Sequence, residues 1–204
     1  MKKNVPTKTE DKNKEKVMNQ NTKHSRSSRR LPIAMTLAAL AVLASISIAR
    51  ASEDNRAPDL PSPLCDRVQV QGAKVAFHVY ALGVQIYRWN GASWVFVAPA
   101  ARLFADAEYH GEVGTHYAGP TWESNSGGKV VASRVESCAP DPTAIAWLLL
   151  QKVSNEGPGI FDRVTFIQRV NTAGGLPPSG PGPFVGAEEE VPYTAEYYFY
   201  RDQH

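Results

Sequence analysis

Residues 74–89, KVAFHVYALGVQIYRW, are a long run of β-branched and aromatic side chains, and beyond them turn residues cut the chain at short intervals. Such side chains pack well on a pleated surface and lose rotamer freedom in a helix, so the run reads as a strand. Gly83 is expected to introduce a bulge or bend. Asn90-Gly91 then separates this run from SWVFVAP and is the strongest hairpin signal in the chain. ARLFADAEYHGEVGTHYAG reads as short strands around His110-Gly111, and SNSGG turns the chain into KVVASRV. FDRVTFIQRVNT, after the NEGPG turn, places Val164, Phe166, Gln168 and Val170 on one face. The closing segment VPYTAEYYFYR alternates: Val191, Tyr193, Ala195, Tyr197 and Phe199 share one face, Thr194, Glu196, Tyr198 and Tyr200 the other. It reads as a half-buried strand. DPTAIAWLLLQKV suits either a capped helix or a buried strand, while AGGLPPSGPGPFVGAEEE fits no regular element and reads as a long loop. The spacing predicts one mainly β domain, an antiparallel β-sandwich or partly closed β-barrel with at most one short helix.

The N-terminal quarter is different. The first thirty residues hold ten Lys and Arg against three acids, and Leu31–Ile48 is then apolar, ending in Ala49-Arg50-Ala51. A basic region, an apolar run and a small-x-small site make a signal peptide over residues 1–51, with cleavage after Ala51. An uncleaved anchor is the competing reading, because a mostly apolar run of 18 residues approaches the roughly 20 that span a bilayer. Against it stand the Ala/Ser-rich composition and Pro32. Ser28-Arg29-Arg30 hints at twin-arginine export, although Pro32 and Ile33 depart from the best such signals. The product is expected in the periplasm or secreted, touching a membrane only during export.

Without the leader, residues 52–204 hold 11 Lys and Arg against 17 Asp and Glu, a net charge of −6. The electrostatic footprint of a nucleic-acid binder is missing. Residues 52–63, SEDNRAPDLPSP, read as a disordered Pro-rich linker, so the β domain runs over 64–204. Its two cysteines, Cys65 and Cys138, would pair in an oxidising compartment; the alternative is two buried thiols.

The strings GVQIYRW, GTHYAGPTWE, VTFIQRVNTAGG and VPYTAEYYFY together resemble domain-of-unknown-function family 3455, of exported bacterial and secreted fungal proteins. The resemblance spans nearly all of residues 64–201 and implies a single, mostly β domain with no established activity. Some fungal relatives carry a malate-dehydrogenase label. This chain has no G-x-G-x-x-G between a strand and a helix and no βαβ rhythm, so NAD chemistry is not expected. Many relatives carry Cys where Trp89 stands and another in the loop after Gly-Gly-x-x-Pro. Both are absent here, so no family bridge transfers to this chain. Relatives also read Ile-Pro-Trp at Ile145-Ala146-Trp147, and a proline there sits badly in a helix, which tips the ambiguous segment toward strand.

No catalytic motif stands out. H-x-H, H-E-x-x-H, C-x-x-C and G-x-S-x-G are all absent, and a metal site would need His110 or His116 to meet Asp106, Glu108 or Glu123 through folding alone. No cofactor or metal is expected. The acids Asp106, Glu108, Glu112 and Glu123 read as a solvated face rather than a glycosidase pair, and His78 as a satisfied core residue. What remains is a set of polar groups on apolar strands: Gln85, Tyr87, His116, Gln168, Arg169, Thr172 and Tyr193, with Trp122 and Tyr87 as aromatic walls. Buried polar groups must find one another or a ligand, so the set is either a structural hydrogen-bond network or a pocket for a small molecule or glycan. The alternative is a hydrolase-like enzyme with His116 as general base, oriented by Glu123 or Asp106.

Overall fold

A computed structural model describes residues 56–203 of the 204-residue chain; the signal peptide expected over residues 1–51 lies outside them. Eight strands follow in order: β1 (Ala73–Trp89), β2 (Trp94–Phe104), β3 (Glu112–Tyr117), β4 (Thr121–Ser124), β5 (Lys129–Cys138), β6 (Trp147–Glu156), β7 (Phe166–Gly174) and β8 (Glu188–Asp202). Each pairs antiparallel with the next, and β8 returns to pair with β1. The architecture is therefore a fully closed up-and-down barrel. Among the described residues its only helical piece is the 3-10 turn Asp66–Val68.

Closure rests on the two longest strands. β1 and β8 pair from Ala73 opposite Asp202 to Arg88 opposite Glu188, which hides both edges that an open sheet would expose. Gly83 is not the bulge. The register slips between Val75 and Phe77 against β8 and between Ile86 and Tyr87 against β2, whereas Gly83 stays opposite Ala101 and Tyr193. Glycine is required there because a Cβ would overlap the carbonyl oxygen of Ala100 on β2.

Both faces of β8 are buried over Tyr197–Tyr200. Tyr193, Ala195, Tyr197 and Phe199 point into the barrel with Val79, Leu103, Trp122 and Ile167. Tyr198 and Tyr200 point outward into a second cluster with Cys65, Val68, Val75, Cys138 and Val170. That cluster exists because the segment before β1 lies on the outer wall. A disulfide with Cα atoms 5.3 Å apart joins Cys65 to Cys138 at the end of β5, Leu60 packs on the cluster, and the Cys65 amide donates to Pro61 O. Part of the Pro-rich stretch thus runs along the barrel.

The ambiguous segment is strand β6 from Trp147 onward, preceded by a turn in which the Thr143 amide and hydroxyl both donate to Asp141 Oδ1. The long loop before β8 folds back on the β1–β2 hairpin: Trp94 Nε1 donates to Gly180 O and the Gly186 amide to Trp89 O. β7 starts at Phe166, later than its sequence run. Residues 157–165 instead form a loop that carries Phe161 and Val164 into the barrel core.

Candidate functional site

Alternation along five strands turns Gln85, Tyr87, His116, Trp122, Arg169 and Tyr193 inward. His116, on β3, is 3% exposed and opposite Trp122 on β4. The two rings stack with centroids 4.2 Å apart, and Tyr197 meets both edge-on. His116 Nδ1 lies 2.8 Å from Thr121 O. A carbonyl only accepts, so the ring carries its proton on Nδ1 and a lone pair on Nε2. Burial drives its pKa down to about 3; the bond to Thr121 raises it and the charge of Arg169 lowers it further. A ring that stays neutral to such low pH is a poor proton acceptor near pH 7. Its Nδ1 partner is a backbone carbonyl rather than Glu123 or Asp106; Glu123 instead accepts from the Tyr117 hydroxyl at 2.6 Å. The geometry of a hydrolytic base is therefore not assembled at His116.

The other inward groups meet where the chain leaves β7. Tyr87 donates its hydroxyl to Gly175 O at 2.7 Å, and burial raises its pKa. A Cβ on Gly175 would lie 2.9 Å from Tyr193 Cβ and 3.1 Å from Gln85 Cγ, so only glycine lets the backbone pass so close. Arg169 donates from Nε and Nη2 to Ala146 O. The Tyr193 hydroxyl sits 3.5 Å from that of Tyr197, and its pKa is raised chiefly by burial. Among the described residues Trp122 Nε1 is buried without a hydrogen-bond partner, while the Gln85 amide, with no partner at full hydrogen-bond geometry, faces the Tyr193 hydroxyl and lowers its pKa. Trp122, 1% exposed, is packed in an aromatic column with His116, Tyr197 and Phe199.

Two residues of the set lie apart. Gln168 faces outward, donating from Nε2 to Val68 O and accepting from the Tyr200 hydroxyl at 2.7 Å. It fastens the 3-10 turn to the wall. Thr172 donates its hydroxyl to Ile145 O at 2.6 Å and ties β7 to the segment before β6. His78 also faces outward: it stacks on Tyr198, and its Nε2 is 3.1 Å from the Tyr80 hydroxyl.

Sequence reasoning missed the opening at the other end of the barrel. Phe77, Leu103, Val113, Ile160, Phe161 and Phe199 line a cavity of about 210 Å³, with Glu123 and Ser124 at its margin. Phe161 comes from the β6–β7 loop and packs against Phe77 and Phe199. Phe199 meets Trp122 edge-on and so separates the cavity from His116. The signal available in the sequence was the apolar pair Ile160-Phe161 directly after Gly157-Pro158-Gly159.

Folding does bring Asp106, Glu108 and His110 together on the β2–β3 loop, with ligand atoms within 4.8 Å of one another. All three belong to a solvent-facing turn in which Asp106 Oδ1 accepts from the His110 amide.

The family described as protein of unknown function (DUF3455) matches residues 70–201, from just before β1 to the end of β8. No curated protein and no solved structure matches the chain.

Proposed function

The chain belongs to the DUF3455 family, whose membership supplies no activity, and we propose from the geometry that the barrel is a binding protein for a small, largely apolar molecule. The observation that carries this reading is the cavity of about 210 Å³ between Phe77, Phe161 and Phe199. An apolar hole of about 150 Å³ accommodates benzene, so this one suits a single substituted ring or an indole-sized pair of rings. Apolar walls with a few polar atoms at the margin are the usual composition of a small-molecule site. Analogy of fold points the same way, since an eight-stranded closed barrel is just wide enough for side chains or one small ligand. In this reading the stacked His116 and Trp122 give the barrel a rigid interior and perform no chemistry.

We place the activity outside the cytoplasm. The leader pattern of residues 1–51 supports export, and the Cys65–Cys138 disulfide fits an oxidising compartment.

Calorimetric titration with indole tests the function. Binding is expected to saturate at one indole per chain. Ala105 lines the cavity beside Leu103, so Ala105→Trp should fill it and weaken binding at least about tenfold. Undiminished binding by a folded Ala105→Trp protein would refute the assignment.

A further inference from the structure

The segment before β1 leaves a gap against the barrel. Residues 60–70 pack on the outer wall through Leu60, Val68 and Val70, in the cluster around Tyr198 and Tyr200, and the Cys65–Cys138 bridge holds them there. Between this segment and the wall runs a cleft of about 380 Å³, lined by Asp59, Ser62, Asp66, Gln69, Gln168 and Tyr200. An apolar hole of about 150 Å³ takes benzene, so this cleft has room for an organic molecule and is too large for a bare ion.

Its chemistry differs from that of the apolar cavity. Two carboxylates line it, and among the described residues no Lys, Arg or His does. None of the ion pairs among those residues takes Asp59 or Asp66. Ser62 Oγ donates to Asp66 Oδ2 at 3.2 Å, a bond that leaves Asp66 Oδ1 to accept. The barrel side of the cleft is buried: Gln168 is 1% and Tyr200 3% exposed. Tyr200 donates its single hydroxyl proton to Gln168 Oε1, and Gln168 Nε2 donates to Val68 O. The Tyr200 oxygen and the second lone pair of Gln168 Oε1 therefore remain as acceptors. A cleft with surplus acceptors, two negative charges and no cation is complementary to a ligand that donates hydrogen bonds and carries positive charge. We propose that it is a second binding site, for a small organic ammonium ion bearing hydroxyl groups. Asp59 and Asp66 take the ammonium group, and Tyr200 and Gln168 accept from the hydroxyls.

This site is independent of the apolar cavity. It lies on the outer wall, the cavity lies inside the barrel, and either assignment can fail alone.

Titration of the purified protein with glucamine, against sorbitol, which carries a hydroxyl in place of the ammonium group, tests it. Binding is read from the side-chain amide 1H–15N resonances of Gln69 and Gln168. Glucamine should give saturable shifts at both, and sorbitol should bind at least about tenfold more weakly. Asp59→Asn and Asp66→Asn each remove one charge from an exposed side chain and should weaken glucamine binding severalfold, the double substitution at least about tenfold. Glu189→Gln, at the opposite end of β8 from Tyr200, should leave it unchanged. The assignment is overturned if sorbitol binds as tightly as glucamine, if a folded Asp59→Asn, Asp66→Asn or doubly substituted protein keeps wild-type affinity, if Glu189→Gln weakens binding as much, or if glucamine does not saturate by about 10 mM.

Discussion

His116 combines one hydrogen bond with one stacked ring, and both are lost together when the side chain is removed. His116→Ala should lower stability by about 1–3 kcal/mol in urea unfolding, because it leaves Thr121 O buried without its donor. His116→Gln, which keeps a donor, should recover part of the loss. Acid should act through the same ring. Folded His116 titrates at about 3 and an unfolded histidine at 6.5, so between those values the unfolded chain binds a proton that the folded chain refuses. Stability should therefore fall as pH drops from about 6.5 toward 3, and less steeply in His116→Gln. Equal slopes in the two proteins would show that the ring is not buried neutral. Most of this polar interior was legible, since Gln85, His116, Arg169 and Tyr193 are conspicuous on apolar strands. Gln168 was not. Alternation shows which residues share a face but not which face is inside. On β7 both faces are apolar: Ile167 packs in the barrel and Val170 beneath the outer segment.

The segment before β1 has little regular structure of its own, yet it covers Tyr198, Tyr200 and Val170. Its attachment depends on Gln168 and on the disulfide, which links residues 73 positions apart. Replacing Cys65 and Cys138 by Ala should cost roughly 4 kcal/mol on the chain-entropy account of a loop this long. Denaturant midpoints before and after the double substitution measure it, and an unchanged midpoint would mean that the segment holds without the bridge. Native protein should likewise contain no alkylatable thiol. The strand content of β1, β2 and β8 and the β1–β2 hairpin were plain from residue type and turn chemistry. The β6–β7 loop was not, because Phe161 and Val164 have the composition of a strand. Their burial comes from the loop turning into the barrel's end, a tertiary fact with no local period.

At the scale of the molecule, composition and turn spacing carried the mainly β architecture but not its closure. Closure needs β1 and β8 to pair although 98 residues lie between Trp89 and Glu188, and an alternating strand looks the same at the edge of a sandwich and in a barrel wall. The exported chain should begin at Ser52, which N-terminal sequencing of the exported fraction reads directly; retention of residues 1–51 would contradict cleavage. Ligand binding at the Phe77–Phe161 end is the central claim, and the most direct measurement is a crystal of the protein soaked in 5-bromoindole, with bromine located by anomalous scattering. One bromine peak among Phe77, Phe161 and Phe199 is the expected result. A cavity that stays empty or holds ordered water at saturating bromoindole would contradict the account.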